Sequence, residues 1–327
     1  MSAATHPAAR TGPFGQPFPV VYVDGRFSAE EDSRVSVHAN AISYGTGTFE
    51  GIRATWNEEL GELYLLEAEA HFQRLQQSAR VLGLDLAPSP QDLVAASSEL
   101  LRRNEVRVDT YLRPLYILEG EELPVRMHDV RPRLSIAATP FVGAYISLSG
   151  VRCMISSWRR APDAVLPSRA KLCGSYVGPA LAKSEAVASG YDEAIMLNVA
   201  GNVTEATTSN LFMRRGTEWL TPAVSDDILE GITRAQVKTL LAERTGSPVL
   251  ERSVQRTELF VSDEILLCGT AALIVPVVEV SGRPVGDGKP GETTMALQND
   301  LRSIARRADG RHFEWTTPVY GTAEGKA

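Results

Sequence analysis

Apolar and polar positions alternate and recur along the chain in a way that predicts two successive units of mixed strands and helices. Val20-Val21-Tyr22-Val23, Asp24-Gly25 and Arg26-Phe27 read as a strand, a tight turn and a second strand. Phe49 to Trp56 and Leu63 to Leu66, joined by the polar stretch 57–62, read as another hairpin. From Glu67 to Leu84 the period lengthens to that of a helix, with Phe72, Leu75, Ala79 and Leu82 on one face. Ser89 before Pro90 can cap a further helix that runs to about Arg103, and strands return at Thr110 to Leu118 and Arg133 to Thr139.

Pro and Gly then interrupt the pattern in Thr139-Pro140-Phe141-Val142-Gly143-Ala144-Tyr145, which reads as an interdomain connection before a new run at Val151. Beyond it the pattern predicts a helix from about Tyr176 to Ser189 and a hairpin from Glu193 to Phe212 turning at Ala200-Gly201-Asn202. A helix from Thr233 to Glu243, a short strand Glu264 to Leu267, a Gly-Thr turn and a last helix from Glu292 to Arg307 complete this unit. The expected organisation is a mobile tail over 1–18, a small α+β domain over 19–138, a connecting loop over 139–150, a larger α+β domain over 151–318 and a second tail over 319–327.

Composition narrows the possible functions. At 327 residues with 43% hydrophobic and 22% charged content, the chain has the balance of a globular protein with a sizeable core. Lys and Arg total 33 against 40 Asp and Glu, a formal charge of −7, which gives no electrostatic reason to expect nucleic acid or an anionic membrane as partner. No run approaches the ~20 apolar residues of a membrane span, and the first twenty residues lack the apolar core of a secretory signal, so the expectation is a cytoplasmic protein. Cys153, Cys173 and Cys268 form neither a CxxC pair nor a Cys/His cluster and indicate no metal site or disulfide framework.

Taken alone, Lys171 in Pro167-Ser168-Arg169-Ala170-Lys171-Leu172-Cys173-Gly174-Ser175-Tyr176 is one lysine among many. Its company changes the reading: Tyr176 follows after five residues, and downstream stands Glu205-Ala206-Thr207-Thr208-Ser209-Asn210-Leu211-Phe212. That segment, Glu-x-Thr-x-x-Asn-Leu-Phe, resembles the signature of class IV aminotransferases, with Lys171 where the family has its cofactor lysine. Further segments resemble the branched-chain aminotransferases: His38 to Arg53 with Phe49-Glu50-Gly51-Ile52-Arg53, Tyr111-Leu112-Arg113-Pro114, Gly231-Ile232-Thr233-Arg234 and Gly269-Thr270-Ala271-Ala272. The resemblance runs in consistent order from about Val20 to Val285 and implies the two-domain class IV fold.

It also implies pyridoxal 5'-phosphate as cofactor, joined to Lys171 as a Schiff base. A lysine near its unperturbed pKa of ~10.4 is protonated at neutral pH, so such a residue needs surroundings that favour its neutral or imine form; once freed, the same amine can move a proton. By the resemblance Glu205 faces the pyridine nitrogen and keeps it protonated, and Tyr176 bonds the ring oxygen. Arg74, the backbone of Ile232 and Thr233 at a helix start, and the Thr270 hydroxyl hold the phosphate.

Family precedent further places Tyr111, Arg113 and the turn Thr270-Ala271-Ala272 around substrate carboxylates, with Tyr44, Phe49, Gly51 and Tyr145 lining the side-chain pocket. A branched-chain transaminase must also admit glutamate, whose distal carboxylate needs a partner such as Arg113. The sequence departs from the pattern at Val142, a position that can carry tryptophan in bacterial relatives, and in the charged loop 119–128. The expected activity is amino transfer between branched-chain L-amino acids and 2-oxoglutarate by a homodimer or higher homo-oligomer. An R-selective amine transaminase or a mixed-specificity or D-amino-acid transaminase of the same fold is the alternative, ahead of an aminodeoxychorismate-type lyase or a non-catalytic binding protein. Amino acids or amines and 2-oxo acids are the expected partners.

Overall fold

A computed structural model describes residues 13–120, 125–143 and 146–321. The chain forms two sheets in succession. Among the described residues the first has eight strands, all paired antiparallel, in the order Thr316–Pro318, Glu62–Leu66, Ile52–Asn57, Thr110–Leu118, Pro132–Pro140, Val20–Val23 and Arg26–Ala29, with Gly47–Phe49 also paired to Thr110–Leu118. The helices Ala68–Val81 and Pro90–Arg103 cover it, and their apolar faces meet the sheet in a core built on Leu63, Leu65, Phe72, Leu75, Leu93, Leu100 and Leu112. Ser89 begins the second helix with a reciprocal cap: its hydroxyl accepts from Asp92 N at 3.1 Å while the Asp92 carboxylate accepts from Ser89 N at 3.2 Å.

The second sheet is mixed, and its order is Val203–Ala206, Glu193–Leu197, Val151–Arg159, Leu273–Val280, Glu264–Gly269, Asn210–Arg215, Glu218–Thr221 and Leu250–Glu251. Its third strand in this order, Val151–Arg159, runs parallel to both neighbours. Val177–Ala188, Ile232–Thr245 and Glu292–Ala305 supply the helices packed on it.

Several expectations change. The segment expected as one hairpin from Glu193 to Phe212 is three strands: Glu193–Leu197 and Val203–Ala206 pair, whereas Asn210–Arg215 leaves them to pair with Glu264–Gly269. The strand Leu273–Val280 opens with a continuous buried run and so has no alternation to reveal it. Within the spans 1–18 and 319–327, expected as tails, described residues have partners in the fold. Phe14 bridges Phe141, Phe18 N donates to Ala138 O, and Val319 is buried with its N–H on Leu63 O.

Candidate active site

The segment Lys171–Gly174 from the second unit lies against the strand Gly47–Phe49 of the first sheet, so the site forms at the seam between the two. Lys171 O accepts from Phe49 N at 3.1 Å and from the Thr48 hydroxyl at 2.9 Å, and Lys171 N donates to Ser78 Oγ at 3.0 Å. Gly45 and Gly174 meet so closely that a Cβ on Gly45 would stand 2.9 Å from Gly174 Cα, and the φ of +66° at Gly45 also favours glycine. With its main chain held on both sides, Lys171 projects Nζ to the Tyr176 hydroxyl at 2.7 Å, and Tyr176 packs edge-on to Phe49 at 4.8 Å.

Lys171 and Tyr176 stand where two cavities join. The inner one is walled by Arg74, Arg160, Glu205, Asn210, Gly231, Ile232, Thr233 and Thr270. In this wall is the start of the helix Ile232–Thr245, whose N-cap Gly231 provides no side-chain cap, so backbone N–H groups there can meet an anion; Arg74 lies beside it, its Nη1 donating to Glu230 O at 2.8 Å. In the same wall Glu205, 6% exposed, has one oxygen on Arg160 Nη2 at 2.8 Å and the other accepting from Asn210 Nδ2 at 2.9 Å. Burial raises the pKa of Glu205, and Arg160 offsets part of that rise.

The outer cavity opens from Lys171 toward Phe14, Phe49, Gly51, Tyr111, Arg113 and the turn Thr270, Ala271 and Ala272. Arg113 lies over the rings of Phe49 at 4.6 Å and Tyr111 at 5.2 Å, which leaves an exposed cation at the rim of an aromatic wall. Burial raises the pKa of Tyr111, whose ring is held by Phe14 and Phe141. Across the cavity Arg53 Nη1 donates to Ala271 O at 3.0 Å, and Leu273 closes the turn in a left-handed conformation with φ of +58°.

An amine, a helix start and a buried carboxylate share the wall of one cavity, and the sequence comparisons name a family. The amino-transferase class IV model matches residues 47–280. The chain belongs to the class IV aminotransferases. A probable branched-chain-amino-acid aminotransferase of Aquifex aeolicus is 42% identical over 300 residues, 91% of this chain and 96% of that one. The branched-chain aminotransferase of Thermoproteus uzoniensis, solved with norvaline, superposes with a TM-score of 0.88 at 38% identity, covering 93% of this chain and all of that one. The branched-chain amino acid aminotransferase of Thermobaculum terrenum, solved in its PLP form, gives 0.87 at 34% identity over 93% and 99% of the two chains. The two-sheet architecture is the class IV aminotransferase fold.

Class IV aminotransferases use pyridoxal 5'-phosphate. The donor set of the inner cavity fits that group in kind: Arg74 and a helix start for a phosphate, Lys171 for an aldehyde, Glu205 for a ring nitrogen. Of the residues expected from sequence, Lys171, Arg74, Tyr176, Glu205, Ile232, Thr233 and Thr270 line the inner cavity, and Phe49, Gly51, Tyr111, Arg113, Thr270, Ala271 and Ala272 line the outer one. Val142 does not join them: its side chain is 64% exposed and lies beside Gly15. Tyr44, 40% exposed, ends the short helix Asn40–Tyr44 and lines neither cavity of this chain. Tyr145 lies outside the described residues.

Three further wall residues escape a reading of the sequence. Phe14 sits in what reads as a tail. Arg160 is one of two adjacent arginines at a strand end, with no local signal to separate it from Arg159. Asn210 belongs to the Glu-x-Thr-x-x-Asn motif itself, and its spacing from Glu205 is the available clue.

Proposed function

We propose that this class IV aminotransferase moves an amino group between branched-chain L-amino acids and 2-oxoglutarate. The observation that carries this reading is the outer cavity, where an aromatic wall of Phe49 and Tyr111 carries the Arg113 cation at its rim. An aliphatic side chain can lie on the rings, and a distal carboxylate can meet Arg113 in the same space. The names of its relatives support the same substrate class. The alternative of an R-selective amine transaminase rested partly on Val142, which does not line the cavities.

When bound, pyridoxal phosphate supplies an aldehyde for the amino group and a ring that accepts electrons from the substrate carbon. Lys171 would hold the aldehyde, and as a free amine its Nζ, oriented by the Tyr176 hydroxyl, could carry a proton. Glu205 would hold the ring nitrogen, and Arg74, the backbone of Ile232 and Thr233 and the Thr270 hydroxyl would hold the phosphate. Tyr111 and the turn Thr270-Ala271-Ala272 would lie around a substrate carboxylate. Assembly as a homodimer or higher homo-oligomer would cover the exposed apolar residues Val37 and Ile42, which precede the segment that abuts Lys171–Gly174.

A donor panel of leucine, isoleucine, valine, D-alanine and R-1-phenylethylamine, each with 2-oxoglutarate and pyruvate, tests the proposal. The L-donors with 2-oxoglutarate should give the highest kcat/KM; R-1-phenylethylamine as best donor would overturn it. Arg113→Leu should depress the glutamate half-reaction roughly ten- to a hundredfold, the worth of a charge-assisted bond to a desolvated carboxylate, and leucine much less. Equal loss would mean that Arg113 serves the α-carboxylate or the fold.

A further inference from the structure

Beside Arg74, which lines the inner cavity, lie two buried ionisable residues, Glu50 and His71, that none of the roles above accounts for. Glu50 is fully buried, His71 is 2% exposed and Arg74 is 8% exposed. The Glu50 carboxylate accepts from Arg74 Nε at 2.7 Å and Nη2 at 2.9 Å, from His71 Nδ1 at 2.7 Å and from Gly51 N at 3.3 Å. A carboxylate can only accept, so Nδ1 carries the imidazole proton. Burial alone would raise the Glu50 carboxyl, but Arg74 and His71 outweigh it and hold Glu50 well below the usual carboxylate range. Burial lowers the pKa of His71, which favours the neutral ring.

Burying three such groups seldom stabilises a fold more than apolar packing would. What the cluster does supply is geometry. Arg74 has five N–H bonds; two go to Glu50 and one, from Nη1, to Glu230 O, the residue before Gly231 at the helix start. One N–H on each of Nη1 and Nη2 remains by count, on a side chain that lines the inner cavity. A bidentate fork fixes the plane of a guanidinium, and with it the direction of the remaining N–H groups.

We propose that Glu50 and His71 are positioning residues that lock the plane of Arg74, so that its two remaining N–H groups meet the phosphate of the cofactor. This rests on the assignment of Arg74 to the phosphate made above. Glu50 fixes the fork, and His71 fixes Glu50 through Oε2, the oxygen that also accepts from Arg74 Nη2.

The test compares the affinities of the full-length chain, stripped of cofactor, for pyridoxal phosphate and for pyridoxal. Both aldehydes meet Lys171 alike, so the ratio of their Kd values isolates the phosphate. Arg74→Met should cut the preference for the phosphorylated aldehyde, and Glu50→Gln should cut it roughly ten- to a hundredfold while pyridoxal binding stays within about threefold. The double variant Glu50→Gln/Arg74→Met should match Arg74→Met, because Glu50 acts through that residue. His71→Asn, which keeps a donor near Nδ1, should retain the preference that His71→Leu loses.

An unchanged ratio in Arg74→Met would remove Arg74 from the phosphate site. If Arg74→Met lowers the ratio and Glu50→Gln does not, or if Glu50→Gln weakens both aldehydes equally, the cluster is structural and the positioning role is overturned. Should Glu50→Gln fail to fold, the two His71 variants decide: equal ratios in both would overturn the role.

Discussion

Lys171 has a backbone bonded on both sides and a side chain aimed at one phenol 2.7 Å away, so its position is set before any ligand arrives. Glu205 is likewise constrained, by Arg160 and Asn210, and its charge leads to a prediction. Glu205→Gln should keep the cofactor but slow the proton-transfer half-reaction roughly a hundredfold or more in single-turnover kinetics, because an amide cannot pair ionically with a protonated pyridine. A nearly unchanged rate would remove Glu205 from that role. Gly51 carries a second prediction: a Cβ there would lie 1.7 Å from the Tyr111 hydroxyl, and Tyr111 is held by Phe14 and Phe141. Gly51→Ala should therefore displace that hydroxyl and lower kcat/KM for leucine by about tenfold or more, with cofactor absorbance retained.

The elements that carry these residues are legible where a pattern has one solvent face. The strand Thr110–Leu118 and the helix Pro90–Arg103 follow the sequence reading because alternation, periodicity and a Ser-Pro start all agree there. Ser89→Ala removes the hydroxyl half of the cap and should cost about 1 kcal/mol in urea unfolding with an unchanged m-value, and should leave activity alone. The second sheet is harder to read. Leu273–Val280 begins with five successive buried apolar residues, a run that carries no period. The bend at 207–209 hides the fact that Val203–Ala206 and Asn210–Arg215 pair with different neighbours.

Across the molecule as a unit, the chain end returns to the first sheet. Thr316–Pro318 pairs with Glu62–Leu66, and Glu67 N donates to Trp315 O at 2.7 Å. This junction holds a titratable group: burial, then the nearby Glu314, pushes Glu67 up to about 7, and Gln236 on the helix Ile232–Thr245 offsets this in part. A carboxyl whose folded pKa is raised favours folding while protonated, so its contribution is full below the unfolded value of about 4.3 and is lost as pH rises through about 7. Glu67→Gln should consequently raise Tm at pH 8, by the equivalent of about 1–2 kcal/mol of stability after allowance for solvent screening, and change little at pH 4. Equal effects at the two pH values, read by calorimetry, would exclude the titration.

The α+β class, most of the helices, the order of the motifs and the lysine and carboxylate of the proposed site can all be read from the chain as a string of residues. These are local patterns, or motifs whose residue types the chemistry requires. Which distant segments share a wall is a property of the folded molecule alone. Folding brings Phe14 onto Tyr111 from an expected tail, pairs Arg160 with Glu205, turns Val142 outward and buries Glu50 and His71 beside Arg74. Such pairings join residues far apart along the chain through strand order and packing, and neither periodicity nor spacing encodes that order.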